Sequence, residues 1–349
     1  MLYQKTKSKS VFFVGDIALS GDIRLEDLDL FCTPFNPIRE EGDLLFANLE
    51  IPITPENTSP VHVCNASILE TGLKRLGVTH VNLANNHILD GGREGVARTI
   101  DLLDRLNIKH TGAGTKPEHC APVVLDWNDK KVALLGYVLA NTHIKNYPSS
   151  DVFVNVWEPE MARHEIQKWR ADGYEVWVSL HWGEDYSHCA EPNQIRIADD
   201  IAEWGGSLII GHHAHVVQPM QERARTVVFF GLGGYVFGHF WKNNQWSSLF
   251  KKTKQGLIVQ LKLASDGSKT FHYYRSLESW NHQVRIKNWN YFGWSSCYWA
   301  LGQFKHSHPI IKKLFTIFEL LSCKILHQAS MFGTNQWSQV LRRINKVER

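Results

Sequence analysis

The chain has 349 residues, 43% of them hydrophobic, and a formal net charge of +3. That length and apolar content suffice for a large buried core, and a near-neutral balance gives no global case for nucleic-acid binding. Six cysteines, Cys32, Cys64, Cys120, Cys189, Cys297 and Cys323, lie far apart without a Cys-x-x-Cys pair, which fits neither a zinc ribbon nor a small disulfide scaffold and leaves reduced thiols as the simpler reading.

The amino-terminal MLYQKTKSKS is basic and polar, and VFFVGD follows at once. This apolar run is too short for a signal-peptide core and ends in a charge, so export by that route is not expected. Val11 to Val14 reads as a buried strand delivering Gly15 and Asp16 at its carboxyl end, where active-site residues of open α/β sheets collect. Leu44 to Leu49 repeats the device and ends in Glu50, and Val81 to Ala84 ends in Asn85, Asn86 and His87. Asp90, Gly91 and Gly92 then turn the chain into a helix whose apolar positions Val96, Ile100, Leu103 and Leu106 recur at helical spacing.

Ile108 to Gly114 and the run PVVLDWNDKKVALLGYV are strand-like, the latter broken at Asn128 and Asp129 by an expected hairpin turn. A helical pattern covers Glu158 to Arg170. The apolar strand Val176 to Leu180 then ends in His181-Trp182-Gly183-Glu184. A helix from about Asn193 to Trp204 leads to LIIGHHAHVVQP, in which an apolar β-type run enters Gly211 and then His212, His213 and His215. On an extended chain alternate positions face the same way, so His213 and His215 are expected to aim at a common point and His212 elsewhere. Val227 to Phe230 is one more strand before GLGG. LIVQLKL, the turn Ser265-Asp266-Gly267-Ser268 and TFHYYR read as an antiparallel hairpin. Strands and helices alternate early and hairpins come late, which predicts a mixed-sheet α/β sandwich.

From about Trp280 the character changes. Ten basic residues face only Glu319 and Glu348, and Trp280, Trp289, Trp294, Trp299 and Trp337 fall in the same span. The expected division is therefore a main domain over 1–279 and a basic, helical extension over 280–349. Such a segment suits peripheral contact with an anionic membrane surface, or equally packing of its tryptophans on the main domain. No stretch reaches the roughly 18 to 20 apolar residues of a membrane span; the run IIKKLFTIFELLSCKILHQ is interrupted by Lys312, Lys313, Glu319 and Lys324. A cytoplasmic location, at most peripheral to the inner membrane surface, is the expectation.

Asp16, Glu50, Asn86, His87, His181, His213 and His215 all fall at the ends of predicted strands, which converge in space within one sheet. Singly each has a plainer reading: a turn aspartate, a solvated glutamate, an Asx-turn asparagine, a polar core histidine. Jointly they point to a metal centre. Oxygen and imidazole donors without thiolate suit Mn, Fe or Zn. They are too many for a single tetrahedral ion. Two divalent metal ions about 3.5 to 4 Å apart, sharing a carboxylate, would use them all, activate a water and clamp a displacement at phosphorus. Gly112-Ala113-Gly114 lacks a following GxxxxGK[ST] and is read as a turn; no GxSxG supports acyl-enzyme chemistry. His188 and His239 show no partner pattern and are read as structural or surface residues.

VGDIALSGD, FANLEIPIT, VNLANNHILDGGREGVARTIDLL with the following TGAG, VSLHWGEDY and IIGHHAHVVQP resemble, in order, successive blocks of the CapA family of capsule-synthesis proteins. The resemblance covers about residues 11 to 275. It implies a calcineurin-like metallophosphoesterase fold, a four-layer α/β/β/α sandwich, and a link with bacterial poly-γ-glutamate. It further implies that Asp16, Glu50 and His215 hold one ion and Glu50, Asn86, His181 and His213 the other, with Glu50 bridging. His87 would then protonate the leaving group or hold the substrate, and Asp90 would orient His87. The implied activity is hydrolysis of a phosphoester or a γ-glutamyl amide in an anionic polymer, in company with other capsule-synthesis proteins. The alternative is a non-catalytic, metal-stabilised accessory or polymer-binding subunit.

Two departures stand out. Metallophosphoesterases at large carry His two residues after the first Asp, where this chain has Ala18, a lack that CapA-like proteins share. The block that in the family tends to read SLGNFVFD is GLGGYVFG here, so Gly231, Gly234 and Gly238 have lost a hydroxyl, an amide and a carboxylate.

Overall fold

Two mixed β-sheets pack face to face and carry helices on their outer faces. The computed structural model describes residues 10–53, 64–142, 151–242, 245–247, 254–263, 268–279, 281–291, 295 and 299. Its strands begin with β1 (Val11–Ala18), β2 (Leu44–Leu49), β3 (His80–Asn82), β4 (Lys109–Thr111), β5 (Ala113–Gly114), β6 (Val123–Trp127), β7 (Lys130–Val138), β8 (Phe153–Val154) and β9 (Glu175–Trp182). They continue with β10 (Gly206–His213), β11 (Met220–Arg223), β12 (Thr226–Phe229), β13 (Gly234–Phe237), β14 (Phe240–Lys242), β15 (Gln245–Ser247), β16 (Gln255–Leu263), β17 (Lys269–Glu278) and β18 (Val284–Asn288). The helices are α1 (Leu28–Cys32), α2 (Ala66–Leu76), α3 (Gly92–Arg105), α4 (Pro159–Ala171) and α5 (Pro192–Trp204).

The first sheet has the order β18-β17-β16-β1-β2-β3-β4, with β13 also paired to β1. Strands β1 to β4 are mutually parallel, whereas β16, β17 and β18 pair antiparallel. The second sheet runs β11-β12-β10-β9-β7-β6, parallel in its middle and antiparallel at both margins. β5 pairs with β8 and β14 with β15 outside these sheets.

Period-2 alternation makes the layers. In β1, Phe12 and Val14 join the core under the helices, while Val11 and Phe13 face the second sheet. In β10, Ile209 faces the outer helices and Leu208 and Ile210 face inward. The layer between the sheets is aromatic. The Trp177 ring meets Phe13 and Trp127 edge-on, with centroids 5.6 and 5.5 Å away, contacts each worth about 0.5–1.5 kcal/mol beyond area burial. Leu73, Val96 and Leu103 of α2 and α3 cover the first sheet, and Ile166, Ile197 and Ile201 of α4 and α5 cover the second. The result is the expected four-layer α/β/β/α sandwich.

Local chemistry sets the ends of these elements. The Asn65 side chain accepts from the Ser67 N–H at 2.8 Å to start α2, and Gln194 Oε1 accepts from the Glu191 N–H at 2.9 Å at the start of α5. Asn128 (φ 49°) and Asp129 (φ 69°) take the left-handed pair that a two-residue hairpin needs between β6 and β7. Of the turn expected at Ser265–Ser268, residues 265–267 lie outside the described residues. Cys32, Cys64, Cys120 and Cys189 are free thiols.

Residues beyond 279 take part in the packing of the first sheet and its surroundings. β18 pairs with β17, the buried Tyr291 hydroxyl donates to Gln218 O at 2.5 Å, and Ser295 Oγ accepts from the Met220 N–H at 2.7 Å. The first unit therefore extends to Trp299, and Ala300–Arg349 form a second. The change to basic, tryptophan-rich composition begins inside the first sheet. The amphipathic run after Lys305, and with it the membrane-contact reading, lies outside the described residues. Among these, no helix is long and apolar enough to cross a membrane.

His80 gives the fold a specific acid sensitivity. Its ring is buried on β3, with Nδ1 2.8 Å from Thr79 Oγ1, and burial, reinforced by Lys109, pushes its pKa down to about 4. Below pH 6.5 the unfolded chain takes up a proton that the native state refuses until about pH 4, so native stability falls through that window. His80→Phe should remove up to ~3 kcal/mol of this loss. Urea unfolding of both proteins at pH 7 and pH 4.5 measures it; an equal acid loss in the two would exclude His80 as the cause.

Candidate metal centre

The two sheets bring their strand ends to a common place. In β1 the register with β2 shifts between Phe13 and Asp16, and with β13 between Asp16 and Ile17. The irregularity needs a glycine: a Cβ on Gly15 would stand 1.8 Å from Gly233 O, and its absence lets the Asp16 N–H reach that carbonyl at 3.0 Å. Glu50 follows β2 and donates its N–H to Ile17 O at 3.0 Å. Beyond β3, Asn85 braces the turn that carries Asn86 and His87: its Nδ2 donates to Leu49 O at 2.7 Å and its Oδ1 accepts the His87 N–H at 3.0 Å. From the second sheet come His181 in β9, His213 at the end of β10, and His215 just beyond.

The expected alternation of the three histidines does not hold. His213 (φ 88°) and His215 (φ 55°) both adopt left-handed backbone, which non-glycine residues rarely take and which ends the two-residue period. Consequently His212 is not turned away: its Nδ1 lies 3.2 Å from Asp16 Oδ1.

Two groups of donor atoms result. His215 Nδ1 is 3.1 Å from Asp16 Oδ2. His181 Nε2 is 2.9 Å from Asn86 Oδ1 and 3.1 Å from His213 Nδ1. Glu50 stands between them, its Oε1 3.7 Å from His181 Nε2 and 3.9 Å from His215 Nε2. Asp16, Glu50 and His181 place ligand atoms within 4.8 Å of one another. Beside them, His87 Nδ1 is 2.7 Å from Asp90 Oδ2.

Burial and charge suit this set to divalent cations. Glu50 is fully buried, yet its Oε1 has no hydrogen-bond partner, which is costly for a carboxylate unless a cation compensates it. Burial, then the Asp16 carboxylate, pushes Glu50 well above the usual carboxylate range. Burial opposes ionisation of Asp16 too, but His212 and His215 outweigh it and hold Asp16 well below that range. Burial and the neighbouring His213 lower His181 well below an ordinary histidine, and burial brings His213 to about 4. Both rings are thus neutral near pH 7, with a lone pair to donate.

The family of bacterial capsule synthesis proteins PGA_cap matches residues 10–239. The chain belongs to this family. Among its relatives, the capsule biosynthesis protein CapA of Bacillus anthracis is 26% identical over 287 residues, covering 76% of this chain and 66% of that protein. The PGA biosynthesis protein CapA of Bacillus subtilis is 26% identical over 277 residues, covering 75% and 70%. The match to the B. anthracis relative thus falls just short of two thirds of that protein's length. Among solved structures, the 5'-nucleotidase precursor of Thermus thermophilus is similar at a TM-score of 0.48 and 11% identity, over 83% of this chain and 57% of that one.

Asp16, Glu50, Asn86, His87, Asp90, His181, His213 and His215 all lie inside the PGA_cap match. Three further residues belong to the site. Asn48 Nδ2 donates to Asp16 Oδ1 at 2.9 Å and also to Glu50 Oε2; its place two residues before Glu50, on the same side of a strand, was the available signal. His212 touches Asp16, and Asp185 Oδ1 lies 3.5 Å from His213 Nε2. His239, for which the sequence shows no partner pattern, pairs with Asp22. The loss of a carboxylate at Gly238 has a steric side: a Cβ there would stand 1.6 Å from Ser20 O, so this backbone admits only glycine.

Proposed function

We propose that this PGA_cap protein is a divalent-metal-dependent hydrolase of capsule or poly-γ-glutamate synthesis. Asp16, Glu50 and His215 would hold one cation and Glu50, Asn86, His181 and His213 a second, with Mn, Fe and Zn all compatible with these donors. The observation that carries the reading is Glu50 Oε1, buried without a hydrogen bond between His181 Nε2 and His215 Nε2. When bound, such ions polarise a phosphoryl or carbonyl oxygen and lower the pKa of a water.

The chain's own residues do the rest. Asp90 accepts the Nδ1–H of His87 and so fixes the ring and its tautomer. Nε2 is then the atom that, when the ring carries its second proton, gives that proton to a departing alkoxide or amine and returns to the neutral Nδ1–H form, or that steadies the substrate before it leaves. Asn48 spaces the Asp16 and Glu50 carboxylates by giving one N–H to each. The scissile bond is a phosphoester or a γ-glutamyl amide of an anionic polymer, since each offers one oxygen to polarise and one leaving group to protonate. The protein works alongside other capsule-synthesis proteins.

The test is to load the purified full chain with Mn, Fe or Zn and to assay bis-p-nitrophenyl phosphate and poly-γ-glutamate. Turnover of at least one, abolished by chelation, is expected. Bound metal with neither substrate turned over would favour the accessory, polymer-binding reading, and failure to retain any metal would end the proposal.

A further inference from the structure

A second group of metal-type side chains lies outside that centre. Asp22 follows β1, His239 follows β13 and His282 sits in the β17–β18 turn, and each places a ligand atom within 4.8 Å of the others. Asp22 Oδ2 is 2.7 Å from His239 Nδ1, and Asp22 Oδ1 is 3.1 Å from His282 Nε2 and accepts the His239 N–H at 2.7 Å. The other ring nitrogen of His282 is 2.8 Å from Glu278 Oε1. That glutamate also accepts from Lys254 Nζ at 3.0 Å and from the Phe237 N–H at 3.3 Å. The two imidazoles lie with centroids 4.7 Å apart. Both are buried, whereas the Asp22 side chain keeps 26% exposure, leaving one side of the group open to water.

A neutral imidazole has a single N–H. If His282 gives it to Glu278, its Nε2 lone pair faces a carboxylate oxygen of Asp22 at 3.1 Å, which is repulsive unless positive charge sits there. A proton could supply the charge, as could a metal ion. Three features favour the metal. A carboxylate on the far nitrogen is the usual way to orient a ligating histidine. Two imidazoles and a carboxylate without thiolate are a Zn, Mn or Fe donor set. The open side admits the ion and a water to complete its coordination.

We propose that Asp22, His239 and His282, with Glu278 orienting His282, form a divalent-cation site separate from the Asp16–Glu50 centre, with zinc as its first choice. Its role is structural: it ties the loop after β1 and the end of β13 to the β17–β18 turn. It also borders the first centre, because Phe237, whose N–H reaches Glu278, packs its ring on His215 at 4.9 Å.

The test uses the full chain with the first centre disabled by Glu50→Gln and His213→Ala, so that the outcome is independent of the hydrolase reading, and zinc alone as the probe. Elemental analysis after gel filtration should find about one bound zinc, and saturating zinc should raise the unfolding temperature by several degrees. Both effects should vanish on adding His282→Gln or His239→Gln. If the disabled protein does not fold, the same comparison is made in the wild-type background, where either glutamine variant should bind one zinc fewer. Equal zinc in parent and variants, all folded by circular dichroism, would overturn the site and leave His282 as an imidazolium between two carboxylates.

Discussion

Glu50→Gln should strip the Asp16–Glu50 centre of metal and reduce hydrolysis by more than the roughly 10- to 100-fold typical of residues that merely support a ligand. The substitution keeps shape and removes charge from the side chain that stands between the two donor groups, 3.7 Å from His181 Nε2 and 3.9 Å from His215 Nε2. Stability should move the other way in chelator. There the wild-type carboxylate is buried beside Asp16 with one oxygen lacking a hydrogen bond, and a neutral amide relieves that burden. The metal-free variant should therefore be at least as stable as metal-free wild type, while added metal stabilises only the wild type, by about 2.7 kcal/mol at a hundredfold excess over the dissociation constant. Thermal unfolding with EDTA and with Mn, together with metal content, decides this. A variant less stable than wild type in EDTA would mean that Glu50 serves the fold and not a cation.

His87→Ala should lower kcat by about 10²- to 10⁴-fold, the range for loss of a positioned acid or base, while leaving bound metal at the wild-type level. The separation follows from geometry: His87 Nδ1 is held by Asp90, whereas the donor atoms nearest Glu50 come from His181 and His215, with Asn86 and His213 beside His181. Asp90→Asn should cost less, about 10- to 100-fold, because the ring remains and only its orientation is lost. Substrates with good leaving groups such as p-nitrophenolate should show a smaller His87→Ala effect than poly-γ-glutamate, since they depart without a proton. Loss of metal in His87→Ala, or an equal effect on both substrates, would remove His87 from the role of acid.

Much of this architecture was legible in the chain because burial writes itself as periodicity. β2 spans Leu44–Leu49 as the apolar run predicts, and α5 begins one residue before Asn193 and ends at Trp204 as expected. The proposed ligand positions stand out in the sequence because several polar residues fall together at the ends of apolar strands, although each alone has a plainer reading. What escaped depends on contacts between distant segments. Asp22, His239, Glu278 and His282 meet only after β13 and β17 join the first sheet, and no local spacing links them. Strand alternation mispredicts His212 because it presumes ordinary φ, which fails at His213 and His215. β18 was hidden by a basic composition that suggested a helical extension, although its pairing with β17 needs only backbone groups.

Asp16, Glu50 and Asn86 lie in or just beyond strands of one sheet and His181 and His213 in strands of the other, so if they hold the proposed cations, the gap between the two sets of anchors would be set by the thickness of the aromatic layer around Trp177. Thinning or swelling that layer, far from any polar atom of the centre, would retune which ionic radius fits best. Under the proposed reading, metal preference would then be partly a property of the hydrophobic filling.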